Sequence, residues 1–489
     1  MKSLSAKSAK LSKLAMTSLM ALLLLLCACH DDRNFTTDSK ARLAFSADTL
    51  SFDTVFTSVG SATACFLVYN DNDAGIRLSA SVAGGSHSPF RINVDGQSGL
   101  SVPELEMAAH DSIYCFVSVK IDPHDSDNPL LEEDSVRFIT EGGAIQCVHL
   151  QAYGQDVIRM VGRTVTASDR FTSARPYLIF DTLAVPENVV MNIEKGARLY
   201  FHDNAVLKVS GRVVAEGTPD SMILMRGDRL DNMLSDIPYD LSAGRWGGII
   251  LDSCSFDNVF AGCDIHGGIW GIRIDTCTVK REKMFVNGSI IHNVRENAMQ
   301  LSNCSARIYN SQITNAGKHC VDILGGNLDF LYCTIANFYP WALRSSAVYI
   351  TNFKDNIIYP LVSASFSNCI ITGYGSDEFE GLVADSIEGS RLDKTVNYKV
   401  RNSLVLTADT TDTNFSNVVW DGEWNAVYGK DNFRSVGNND FRFDFALDSL
   451  SPARNIAVPS KSCRYDIRGV ERPAEGYADA GCYQYTDSL

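Results

Sequence analysis

A chain of 489 residues, 45% hydrophobic and 21% charged, has room for two or three domains and an ordinary globular balance, which excludes a disordered chain and a multi-span membrane bundle. Its formal charge of −15 excludes nucleic acid and anionic lipid surfaces as natural partners. The same charge repels acidic polysaccharides unless a basic groove or bound calcium reverses the local sign.

Residues 1–28 form a unit of their own. Lys2, Lys7, Lys10 and Lys13 precede the apolar run "LAMTSLMALLLLL", the pattern of a secretory signal peptide. Losing it removes four lysines and no acid, so the mature chain is more acidic still. The tetrapeptide "LCAC", Leu26 to Cys29, resembles the bacterial lipobox. That resemblance implies cleavage before Cys29 and lipid on its sulfur, and several acyl chains together anchor a protein stably. The alternative is an ordinary signal peptide without lipid. The acidic "HDDRN" that follows resembles the signal that carries some Gram-negative lipoproteins to the outer face of the outer membrane, the periplasmic face being the alternative, and residues 29–41 are expected to be an acidic tether. No later segment reaches 18 apolar residues, so lipid on Cys29 is the expected membrane contact.

Residues 42–156 alternate with period two, turn clusters separating "LAFSADTLSFDTVF", "ATACFLVYN", "IRLSASVAGG", "FRINVDG", "IYCFVSVKI", "SVRFITEGG" and "IQCVHLQAYG". Such spacing predicts an antiparallel β-sandwich. The order of these segments resembles immunoglobulin-like domains of the abnormal-spindle and HYDIN type, which implies a spacer or interaction module. Cys65, Cys115 and Cys147 lie within the apolar runs and are expected to be small buried hydrophobes. No CxxC pair or His/Cys cluster suggests zinc.

From residue 157 the strands become very short, as in "KGARLYFHDNAVLKVSGRVVAEGTP" (195–219), and need neighbours to stabilise them. A repeat supplies them: "NGSIIHN" (287–293), "NSQITN" (310–315) and "YCTIAN" (332–337) place Ile291, Ile313 and Ile335 at intervals of 22 residues, each followed two residues later by asparagine. "GCDIHGG" with Ile265 is an earlier copy and "SNCIITG" with Ile371 a later one. One winding per repeat, each pairing in parallel with the next about 4.8 Å away, predicts a right-handed parallel β-helix over 157–430. Cys263, Ser289, Ser311, Cys333 and Cys369 form an inward column of small side chains, expected as free thiols where they are cysteines because coil spacing exceeds disulfide Cβ separation. Asn293, Asn315 and Asn337 are expected in left-handed turns with stacked amides. The chain from 157 is similar to the pectate-lyase-like right-handed β-helix superfamily. "GRWGGIIL" (244–251) resembles a coil opening of such proteins, and "SPARN...DIRGVERP...ADAGCYQY" within 431–489 resembles the segment that closes secreted bacterial members. A second β-sandwich is the rival and predicts no fixed register.

In enzymes of that superfamily the chemistry lies outside the parallel sheet, often on calcium-binding aspartates beside a base. The inward pairs Ile272/Ile274, Met299/Leu301, Val321/Ile323 and Val348/Ile350 aim the residue between each outward, giving the candidate ligand-binding column Arg273, Gln300, Asp322, Tyr349. Gly271, Ala298, Cys320 and Ala347 beside it suggest a shallow groove, with Trp270 and Trp341 as aromatic rims for sugar stacking. Arg273 and Asp322 are two coils, about 10 Å, apart, and neither a lyase centre nor a pair of hydrolytic carboxyls is evident, so no catalytic residue is assigned. Asp228, Asp231, Asp236 and Asp240 in the insertion 226–244 could gather a cation, but their spacing is not that of an EF-hand. Calcium is therefore unsupported and no cofactor is expected. The sequence predicts an all-β envelope lipoprotein presenting a β-helix face for binding, first to glycan. A carbohydrate-active enzyme, or a structural or adhesive protein with an envelope-protein partner, are the alternatives.

Replacing Cys29 by Ser is expected to abolish incorporation of labelled fatty acid and to move the chain from the membrane to the soluble fraction. Labelling that survives the substitution would locate the lipid elsewhere.

Overall fold

The computed structural model describes residues 34–487 apart from 62, 235–236, 383–385, 388–389, 392–395, 423–429 and 438–440. Cys29 lies outside the described residues. Among them there is no α-helix, only four three-residue 3-10 turns, and no helix is long and apolar enough to cross a membrane.

The chain divides into two compact units. One runs to Asp122 and resumes at Leu130–Gly154; the other comprises Pro123–Pro129 and Gln155–Leu489. The short excursion belongs to the second unit because its own groups bind there: Asp156 accepts the backbone N–H groups of His124 and Ser126, and Arg175 pairs with Asp125 at 3.0 Å and Asp127 at 2.5 Å.

The first unit is a sandwich of two five-stranded sheets. One has the order Ala44–Phe45, Ala64–Asn70, Asp111–Val119, Phe90–Val94, Gln97–Gly99; the other Thr49–Phe56, Ile145–Gln155, Leu130–Thr140, Ile76–Val82, Ser101–Met107. Period-two alternation puts Phe66, Val68, Val117, Phe138 and Leu150 between them. The same parity corrects the expectation for two cysteines. Cys115 is buried, but Cys65 precedes the inward Phe66 and Cys147 precedes the inward Val148, so both are exposed. Within the expected tether, Phe35 pairs with Gly75, and Arg77 stacks on its ring at 4.3 Å.

The second unit is a parallel β-helix. Sheet A has eleven strands, from Ile158–Val161 to Val419–Trp420; sheet B has eight, from Thr182–Val185 to Phe379–Leu382; sheet C has nine, from Val190–Glu194 to Phe415–Ser416. Successive coils contribute one strand to each sheet in turn. The registers are parallel, and Leu199, Met225, Ile265, Ile291, Ile313, Ile335, Ile371 and Val405 form one continuous file, each fully buried. A fixed register of this kind is what the rival second sandwich lacks. Each buried aliphatic side chain contributes about 1.5–3 kcal/mol, and the backbone of each short strand is satisfied by the coils above and below.

The small column behaves as expected. Ser289 and Ser311 accept the N–H groups of Cys263 and Ser289 at 3.0 and 3.1 Å, and the twelve cysteines among the described residues are free thiols. Immediately before it runs a second column that the sequence reading did not isolate: Gly262, Gly288, Asn310, Tyr332, Asn368 and Asn402, all with φ between 49 and 59°. Here the chain turns from sheet C into sheet A. Asn293 and Asn315 take left-handed φ of 52 and 55° and join amide to amide at 3.3 Å. Asn337 does not share that conformation. It bridges instead, accepting Ala316 N–H and donating to Lys318 and Ser345 carbonyls.

Described residues of the C-terminal segment pack on the outer face of sheet A. Arg472, buried over the Tyr332 ring at 4.1 Å, donates to Asn310; Tyr332 and Asn368 bind the Val458 backbone; Tyr483 donates to Gln312 at 2.7 Å. Phe433, Phe445 and Cys482 pack there with Ala336, Ile370 and Leu404 in a second core.

Burial raises the thiol pKa of Cys115, Cys463 and Cys482 to about 12, and the thiolate is the reactive form. Alkylation of the native chain at pH 8 followed by peptide mass spectrometry is expected to label Cys65, Cys147 and Cys254. Cys115, Cys263, Cys304, Cys320, Cys333, Cys369, Cys463 and Cys482 should react only after denaturation.

Candidate functional site

The outward column of sheet B is assembled as predicted. Arg273, Gln300, Asp322 and Tyr349 are consecutive partners in the parallel register, and Glu380 extends the column by one coil. The inward neighbours of the first four are buried, whereas beside Glu380 only Phe379 is buried and Gly381 is exposed. The column divides into two polar groups. At one end Arg273 lies over the Trp270 ring at 5.1 Å and reaches Asp275 at 3.5 Å. At the other, Asn297 donates to Asp322 at 2.8 Å and accepts His319 N–H, while the His319 ring stacks on Tyr349 at 4.9 Å. Burial pushes the Asp322 carboxyl pKa up and the His319 pKa down, so the pair favours its uncharged forms.

Two expectations about this face are corrected. Gly271, Ala298, Cys320 and Ala347 are buried and do not floor a groove; Ala298, Cys320 and Ala347 belong to the interior core. They stand at the corner entering sheet B, where strand alternation has not begun, and are small because coils touch there: a Cβ on Gly271 would meet Ala298 O at 2.3 Å. Trp341 does not rim the column. Its ring stacks on Phe441 at 4.9 Å and its indole N–H donates to Leu241 O at 2.8 Å. Sequence reasoning missed His319 and Asn297 because they sit at corners, and Glu380 because an insertion breaks the 22-residue spacing.

Among the described residues of the insertion 226–244, each acid pairs with a basic side chain. Asp228 pairs with His202 at 2.7 Å, Asp231 with Arg229 at 2.6 Å, and Asp240 with Arg226; Asp236 lies outside the described residues. Arg226 and Gly227 end the strand Ile223–Gly227, with Arg226 buried.

On the outer face of sheet A lies a cluster that the sequence reading passed over. Asp264 and His266 alternate on the strand Cys263–His266, and His292 is the register partner of His266 on Ile290–Val294. Asp264 Oδ1 is 2.8 Å from His266 Nδ1 and 3.1 Å from His292 Nε2, and the two imidazole rings are 4.6 Å apart. On its other side His266 Nε2 stands 3.6 Å from Asp240 Oδ1, without a hydrogen bond. Burial opposes charge on His266, but Asp264 and Asp240 outweigh it and hold its pKa at about 9. Burial likewise opposes charge on Asp264, but the two histidines keep its carboxyl far below the usual range. A shallow cleft lined by Arg226, Arg229, Tyr239, Asp240 and Arg245 reaches His266.

No protein-family model matches the chain, and no curated protein matches it. Among solved structures, it is similar to an ASH/PapD-like domain of human CEP192 at 10% identity and TM-score 0.17, covering 25% of this chain and 89% of that one. A protein of unknown function from Porphyromonas gingivalis gives 12% and 0.18, with 26% and 60% covered. A family 123 glycoside hydrolase from Clostridium perfringens gives 8% and 0.18, with 23% and 26% covered. At such scores the sandwich is defined by its own strand order and core.

Because the fold accommodates the acid form of Asp322, any stability this group contributes is present below its ordinary value of 3.8 and is lost as pH rises through the raised one. Asp322→Asn keeps an acceptor for Asn297 and is expected to raise the thermal midpoint at pH 7 but not at pH 3. Asp322→Ala strands the Asn297 amide and is expected to cost about 1–3 kcal/mol by denaturant titration.

Proposed function

We propose that this chain is a lipid-anchored outer-membrane protein, held by Cys29 at the cell surface, whose β-helix binds glycan along the outward column of sheet B. The basic leader ending in "LCAC" supports the anchor, and the acidic residues behind Cys29 support the surface location. The single observation that carries the binding reading is the unbroken register of Arg273, Gln300, Asp322 and Tyr349, one polar side chain per coil. A rung spacing of about 4.8 Å approximates the length of one sugar ring. Donors, acceptors and the aromatic faces of Trp270 and Tyr349 are the groups that orient and stack carbohydrate. Binding is preferred to catalysis because the basic and acidic side chains of the predicted column, Arg273 and Asp322, are separated by two rungs. The choice of sugar over another ligand rests on analogy of fold.

The test is a glycan array probed with the detergent-solubilised full chain, with and without calcium. Retention on a glycan is expected, with affinity reduced at least tenfold by Arg273→Ala combined with Tyr349→Ala. If no sugar is retained and cross-linking recovers an envelope protein, the structural or adhesive alternative replaces this one. If bound glycan is shortened, and the shortening disappears with Asp322→Ala or chelator, the chain is a carbohydrate-active enzyme.

A further inference from the structure

From the juxtaposition of Asp264, His266 and His292 on two adjacent rungs of sheet A, we infer a binding site for a single divalent transition-metal ion, with Zn2+ as the fitting class. The three side chains each present one ligand atom, Asp264 Oδ1, His266 Nδ1 and His292 Nε2, and these lie within 4.8 Å of one another. A tetrahedral zinc ion with bonds of 2.0–2.2 Å holds its ligand atoms about 3.3 Å apart. The two separations from Asp264, 2.8 and 3.1 Å, lie just under that span, and the third pair of ligand atoms is within 4.8 Å. Two imidazoles and one carboxylate select a borderline transition ion over calcium, which takes six to eight oxygen ligands.

The scaffold favours such a site for reasons independent of those three atoms. Residues two apart on a strand share a face, and register partners on neighbouring coils stack, so the ligands stand on the most rigid part of the molecule. A metal-bound histidine usually donates its second ring N–H to a carboxylate or carbonyl. With Nδ1 on the metal, the buried Nε2 of His266 faces Asp240 Oδ1 at 3.6 Å, which places Asp240 in that supporting role. Arg226 in turn pairs with Asp240, so the positive charge nearest the cluster is compensated. Side-chain exposures of 29% for Asp264 and 22% for His292 leave the fourth coordination position reachable from solvent. Three protein ligands and an accessible fourth position describe an open site, which retains water or an incoming ligand.

The experiment uses the full chain in detergent, stripped of metal and with its exposed thiols alkylated so that they cannot compete. Calorimetric titration with Zn2+ is expected to show one equivalent bound with a dissociation constant of micromolar or below, and titration with Ca2+ no heat above dilution. His292→Ala, at a partly exposed position, should weaken Zn2+ binding at least 100-fold while far-UV circular dichroism is unchanged. Asp264→Asn should weaken it as well. Co2+ should give the intense visible absorption of a four-coordinate ion without a thiolate charge-transfer band, a readout on the unsubstituted chain that holds even if a variant fails to fold. Absence of Zn2+ binding, binding unaltered in both variants, or a six-coordinate Co2+ spectrum would overturn the site. Because sheet B is untouched, loss of this site leaves the glycan reading standing, and the converse holds.

Discussion

Every strand of the β-helix depends on hydrogen bonds that it cannot make with its own neighbours in sequence. Strands of two to seven residues in sheets A, B and C would leave most backbone N–H and C=O groups unpaired if isolated, and unpaired buried groups are costly. Parallel stacking removes that cost one coil at a time, so stability is a property of adjacent coils and not of any single one. The constraint dictates the rest. Each strand must point apolar side chains inward, a small residue must fit at the corner, and a residue tolerant of left-handed backbone must turn sheet C into sheet A. Gly262, Gly288, Asn310, Asn368 and Asn402 meet that last demand cheaply. Tyr332 meets it at a steric cost that its hydrogen bond to Val458 and its contact with Arg472 help to offset.

With the interior so prescribed, chemical variety is confined to outward positions and to insertions. Where the insertion 338–347 interrupts the winding, Glu378 repairs the backbone: its carboxylate accepts the N–H groups of Ala347 and Gly375 and pairs with Arg344. Burial pushes its pKa up even against that pairing. Removing one partner from such a buried pair typically costs about 3–5 kcal/mol, because it leaves the other charge uncompensated. The outer face of sheet A is divided as well. Its later coils lie under the C-terminal segment, whereas its earlier coils lie beside the insertion 226–244 and carry Asp264, His266 and His292.

The architecture was legible because it repeats. Ile291, Ile313 and Ile335 announce the interior file, and from it the outward column Arg273, Gln300, Asp322, Tyr349 follows by parity alone. Parity also explains the misread cysteines: Cys65 and Cys147 sit in apolar runs but on the wrong beat. Corners were less legible, since alternation lapses there, which is why Gly271, Ala298, Cys320 and Ala347 looked like a floor. Trp341 was illegible for a different reason, since its partners Phe441 and Leu241 are 100 residues away in sequence. The Asp264, His266, His292 cluster was present in the quoted repeats "GCDIHGG" and "NGSIIHN". Aligning their isoleucines aligns the histidines too, but a search by sequence spacing does not see ligands contributed by neighbouring coils.

The latch formed by Arg472, Val458 and Tyr483 on coils some hundred or more residues earlier has a consequence for biogenesis. A chain is synthesised from its N-terminus, so the windings that bear Ala336, Ile370 and Leu404 emerge well before Phe433, Phe445 and Cys482 arrive to cover them. Until the final stretch is delivered, the solenoid has a greasy flank, and such transient surfaces invite aggregation. A nascent molecule of this design therefore carries an uncovered apolar flank until its own tail is in place.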